Sequence, residues 1–216
     1  RTPNLDRLAA RGTLFTHAIS PEPLCGPARH TVFTGVPCAP RDFSRNRAHW
    51  RPDGRFFTEL LAEGGIRTGG FGKFHFHPQR SHPGFLHYAV HEEFDAGIRR
   101  EDVDYLLYLR EHGLGHIPYT CGVKGLLYFQ PQRSIIPEEH HPTKWVADRA
   151  IAFLDAFHDD PFFLFASWEQ PHFPVSVPDR LADLYPNDGI GPPVFDEREI
   201  LPWMVNLQRN ASDMFD

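Results

Sequence analysis

The alternation of helix-like and strand-like segments predicts an α/β fold with a mostly parallel sheet. Helical stretches end at glycine, and short apolar runs follow them. The chemically distinctive residues stand just beyond the ends of these runs, where an open α/β sheet builds its ligand site.

Taken in order, residues 4–11 read as a helix with Leu5, Leu8 and Ala9 on one face and Gly12 at its end. Thr13 to Ala18 reads as a short strand. The proline-rich stretch from Pro21 to Pro27 is a loop that delivers Cys25 to a short helix from Ala28 to Thr34, with Gly35 as the left-handed residue after it. Phe56, Phe57, Leu60 and Leu61 fit one face of a further helix, stopped by Gly64 and Gly65. Ile66 to Phe71 then reads as a buried strand, which puts Lys73 and His75 just past its end. Residues 76–141 lack clear periodicity and are rich in Gly, Pro and His; they are expected to form an insertion, with a short helix near 102–111. Val146, Ala150, Phe153, Leu154 and Phe157 share a helix face. Phe162 to Trp168 is an apolar run suited to a strand covered on both sides.

Charge and composition narrow the functional classes. The 216 residues carry a net charge of −6 and no Lys/Arg run, which argues against a nucleic-acid surface. No apolar stretch approaches the length of a membrane span. The cysteines number three, which does not suggest a disulfide framework. Among the 14 histidines, His75, His77, His82, His87 and His91 crowd into one stretch.

The most informative segment is Leu24-Cys25-Gly26-Pro27-Ala28-Arg29-His30, a C-x-P-x-R pattern. Cys25 precedes a helix N-terminus, where unpaired N–H groups and the dipole favour an anion. The pattern resembles the signature of the type I sulfatases, whose cysteine is oxidised to Cα-formylglycine. Other segments carry the same resemblance in the same order. Thr2-Pro3-Asn4-Leu5-Asp6-Arg7-Leu8-Ala9 is similar to the first helix of that family. Gly72-Lys73-Phe74-His75 is similar to its G-K-W-H element, with Phe for Trp. Pro161-Phe162-Phe163-Leu164-Phe165 and Pro171-His172-Phe173-Pro174 are similar to its P-F-F-L strand and P-H-x-P loop.

The resemblance implies an alkaline-phosphatase-like α/β/α sandwich, of which residues 1–216 form part of one large N-terminal catalytic domain, with 76–141 lying over the active site. It implies hydrolysis of a small-molecule or carbohydrate sulfate ester through a formylglycine made from Cys25 by a formylglycine-generating enzyme. A divalent cation, Ca²⁺ in most relatives with Mg²⁺ or Mn²⁺ as alternatives, is implied on an oxygen of the modified Cys25. Arg29 and Lys73 are then the fixed cations, His172 the acid for the leaving alcohol and His75 a base; Lys73 and His172 also bind substrate. The other metal ligands are expected outside this stretch, which reads as an internal part of the domain and is expected to hold the metal weakly by itself.

Taken singly, each residue has an ordinary alternative: Cys25 an inert buried thiol, Arg29 a surface helix residue, Lys73 a solvated lysine, His172 a loop histidine. Arg47, His49, His77, His116 and Arg133 are further substrate-side groups with nothing to set them apart. Two other functions stay open: a phosphonate or phosphate ester hydrolase of the same superfamily, and a non-catalytic anion-binding role.

Overall fold

The computed structural model describes residues 2–21, 23–37, 55–76, 80–92, 100–117, 120–122 and 131–184. At its centre lies a parallel three-stranded sheet of order β2-β1-β4, with β1 Arg67–Gly72, β2 His87–Val90 and β4 Phe162–Ser167. Its register sets Gly72 opposite both Val90 and Ser167, so the three strands end together. Around the sheet lie α1 Pro3–Ala9, α2 Cys25–Thr34, α3 Phe57–Glu63, α4 Asp104–Glu111 and α5 Pro142–Phe157, and a two-residue parallel pair joins β3 Gln132–Arg133 to β5 Ser176–Val177.

Side-chain alternation along the strands divides the core into two aromatic-rich layers. On one face, Phe163 and Phe165 pack with Phe33, Phe56, Phe57, Phe74, Phe76, Phe85 and Tyr88 under α2 and α3. On the other, Leu164 and Ala166 meet Phe71, Ala150 and Phe153 of α5. The expected coverage of β4 on both sides therefore holds beyond its exposed first residue, Phe162. Beyond α5, Val103, Tyr105, Leu109, Ile117 and Ile136 pack on Trp145 and Val146. The central strand admits these rings because it is built from glycine. A Cβ at Gly69 would stand 2.7 Å from the Phe153 ring, and one at Gly70 2.8 Å from Phe74 and Phe85.

Helix ends follow local chemistry. The N–H of Phe56 donates to the Glu59 carboxylate at 2.9 Å, and Gly65 turns the chain out of α3 at φ 81°. Pro142 occupies the first turn of α5, where the His141 ring accepts from the Thr143 N–H at 3.3 Å. Gly35 closes α2 at φ 71°, as its sequence position predicts.

Two expectations need correction. Helix α2 starts at Cys25, three residues before Ala28, with Leu24 as its extended N-cap; Pro27 still lies in the first turn and costs no hydrogen bond. Thr13 to Ala18 is not a strand, because no described segment pairs with its backbone, and Leu14 and Phe15 are 70% and 77% exposed. The apolar face of α1 is likewise uncovered, with no buried residue. Within 76–141, the described residues include a sheet strand, β2, and the α4 packing layer. The pattern there was unreadable because β2 has four residues of mixed polarity. None of the described helices is long and apolar enough to cross a membrane.

Phe33, fully buried, touches Phe56, Phe57, Phe76, Phe85 and Phe165 with ring centroids 5.0–6.4 Å apart, and so fastens α2 to the sheet. Phe33→Ala should cost about 3–5 kcal/mol in urea unfolding. A loss below about 1 kcal/mol would show that α2 is held by something else.

Candidate active site

Because β1, β2 and β4 end in register, the residues following them gather at one carboxyl edge: Lys73 after β1, His91 and Glu92 after β2, and Glu169 to His172 after β4. Gly72 makes the turn-out possible. It has φ 106°, and a Cβ there would lie 1.9 Å from the Ser167 carbonyl. The Lys73 N–H then donates to that carbonyl at 2.9 Å.

Helix α2 is tied to this edge by Arg29. Its Nη1 donates to the Lys73 carbonyl at 2.7 Å and to the Ser167 hydroxyl at 3.1 Å. Cys25, half-buried and outside any disulfide, stands four residues earlier in the first turn of the same helix, so it shares Arg29's side. The structure thereby brings Arg29 and Lys73 together and puts Cys25 at the helix end belonging to that pair.

Lys73 is 2% exposed. Its charge bears on Glu92, His91 and Cys121. His75 does not continue the extended strand, as sharing a face with Lys73 would require: its backbone is left-handed at φ 60°. Glu92 fixes that turn, its Oε1 accepting from the N–H of Phe74 at 2.8 Å and of His75 at 2.6 Å. Burial pushes the Glu92 carboxyl above its ordinary value, against the pull of those two bonds and of the His75 and Lys73 charges. His172 belongs to the loop after β4. Its N–H donates to the Glu169 carbonyl at 2.9 Å, and its Nδ1 lies 2.7 Å from the Phe173 carbonyl. A carbonyl only accepts, so Nδ1 is the protonated nitrogen in this contact.

Glu92, Ser167, His91, Glu169 and Cys121 escaped the sequence reading. The histidine-rich stretch pointed towards His91, but only β2's place in the sheet distinguishes it from its neighbours. Of the weaker candidates, His116 is exposed, and Arg133 is paired with Asp179 at 2.7 Å and Asp183 at 2.6 Å on the surface. Arg47, His49 and His77 lie outside the described residues.

Calcium seeks six to eight oxygen ligands. Among the described residues no such cage exists: Glu92 is engaged by backbone N–H groups, and the one grouping of three His, Cys, Asp or Glu donors is His91, Cys121 and Glu169, of mixed N, S and O character. That donor set does not suit a hard cation.

Glu92→Ala should strand two N–H groups and cost roughly 1–3 kcal/mol for each in urea unfolding. Glu92→Gln keeps an acceptor oxygen and should lose clearly less. Equal losses for the two variants would show that the carboxylate charge, and not its acceptance from Phe74 and His75, holds the turn.

The sulfatase family profile matches residues 1–190. An arylsulfatase of Clostridium perfringens is 29% identical over 212 residues, covering 89% of this chain and 43% of that protein. A sulfatase of Formosa agariphila is 26% identical over 232 residues, covering 93% and 40%. The chain thus spans about two-fifths of the length of these relatives. Among solved structures, the phosphonate monoester hydrolase of Agrobacterium radiobacter superposes with a TM-score of 0.61 at 22% identity, covering 83% of this chain and 38% of that one, which shows a shared α/β fold of the alkaline-phosphatase type. With its fold and its profile match in accord, this chain belongs to the sulfatase family.

Proposed function

We propose that the protein carrying this chain hydrolyses a sulfate ester to an alcohol and inorganic sulfate, with Cys25 as the residue converted to formylglycine. The observation that carries this reading is the Arg29 tie, which sets the first turn of α2, and Cys25 in it, at the edge where Lys73 emerges. Formylglycine, once made by its generating enzyme, supplies a hydrated aldehyde with one hydroxyl to attack sulfur and another to expel sulfate.

The chain's own groups supply the rest. A sulfate ester presents three non-bridging oxygens, whose charge the helix N-terminus and the Lys73 ammonium offset. Arg29 adds positive charge at the same edge while holding α2 in place. His172, with Nδ1 turned to the Phe173 carbonyl, presents Nε2 as the donor to the departing alcohol. His75, held by Glu92 beside Lys73, is the base in this reading.

Turnover of an aryl sulfate, with an aryl phosphonate ester assayed in parallel, tests the reaction class in the protein co-produced with the generating enzyme. Cys25→Ala should abolish multiple turnover, and sulfatase turnover at the normal rate would remove Cys25 from the mechanism. Lys73→Ala should lower kcat by about 10²-fold or more. His172→Ala should harm poor leaving groups more than acidic phenols, since the latter need little protonation. An equal loss for both would make His172 a sulfate-binding group. A faster phosphonate than sulfate reaction would replace the proposed substrate class.

A further inference from the structure

Behind the carboxyl edge, three metal-ligand side chains converge with no role in the reaction above. His91, Cys121 and Glu169 are 1%, 2% and 4% exposed, and their donor atoms lie within 4.8 Å of one another. The Cys121 thiol is 3.3 Å from Glu169 Oε2, and His91 Nδ1 is 3.4 Å from the same oxygen.

The tautomer of His91 makes this more than a polar cluster. Its Nε2 lies 3.2 Å from the Thr120 carbonyl, which only accepts, so Nε2 carries the proton. Nδ1 is then a bare lone pair, buried and without a hydrogen-bond donor, and it faces a carboxylate oxygen. Such a lone pair, aimed at a carboxylate beside a thiol, is an open ligand position for a metal ion. The Nε2–H bond to a carbonyl is also the outer contact that orients a metal-bound imidazole.

We propose that His91 Nδ1, the Cys121 thiolate and the Glu169 carboxylate form a buried site for a borderline-soft divalent cation of the zinc type. Zinc takes such nitrogen, sulfur and oxygen donors at about 2.0–2.3 Å, which in a tetrahedron separates neighbouring donors by about 3.3–3.8 Å. Two of the donor separations already match. Water takes the fourth position, and the thiol proton leaves to solvent as the ion binds. The two anionic donors offset repulsion from Lys73. The ion joins the Thr120–Gly122 turn and the end of β2 to the loop that carries His172. The site does not depend on the sulfatase reading.

Zinc content and Co²⁺ substitution of the full chain test this without an activity assay. About one equivalent of zinc per chain is expected, and the Co²⁺ form should show a thiolate-to-metal charge-transfer band. Cys121→Ala and Glu169→Gln should each lower metal binding at least tenfold, while Cys25→Ala and Cys38→Ala should leave it unchanged. X-ray absorption of the wild-type zinc form needs no variant to fold, and should report one sulfur among nitrogen and oxygen ligands. A wild-type chain that takes up neither metal, a zinc shell with no sulfur or with two, or a band that survives Cys121→Ala would each overturn the proposal.

Discussion

The Arg29 guanidinium donates at once to the Lys73 carbonyl and the Ser167 hydroxyl, and the arrangement of the carboxyl edge depends on that pair of bonds. Hydrogen bonds from a charged group contribute roughly 1.5–3 kcal/mol each, enough to fix how a ten-residue helix meets the sheet. Arg29 stands on the helix that carries Cys25, and it bonds to the ends of two neighbouring strands. A shift of α2 would therefore break the tie and displace Cys25 with it. Phe33, near the other end of the helix, secures the same placement through aromatic packing.

The glycines of β1 make this geometry affordable to the core. Gly69 and Gly70 let aromatic rings press on both faces of the central strand, and Gly72 releases the chain so that the Lys73 N–H meets the Ser167 carbonyl. Lys73 is consequently buried at the edge instead of reaching into bulk water. Glu92, from the neighbouring strand end, then completes the turn through Phe74 and His75. One strand thus sets both the packing of the core and the exit direction of the charged residues.

Much of this was legible in the sequence where short-range chemistry decides the outcome. The Gly35 helix stop, the apolar face of α5 and the strand at Phe162 follow from local pattern, whereas Cys25, Arg29, Lys73, His75 and His172 stand out only through the motifs that carry the family resemblance. Long-range pairing was not legible. Residues 87–90 look unremarkable until they lie beside β1, and only then do His91 and Glu92 stand next to Lys73. Local pattern also misled where partners decide: 13–18 reads as a strand but finds no pairing among the described residues, and His75 turns left-handed where two N–H groups converge on Glu92.

The account centres on Cys25 as a reactive position and not merely a half-buried thiol at a helix start. Mass spectrometry of the peptide containing Cys25, from protein co-produced with a formylglycine-generating enzyme and showing sulfatase turnover, tests this most directly. The account predicts an aldehyde in place of the thiol, trapped as a hydrazone by a carbonyl reagent, in proportion to turnover across preparations. Full turnover by protein whose Cys25 remains an unmodified thiol would contradict it.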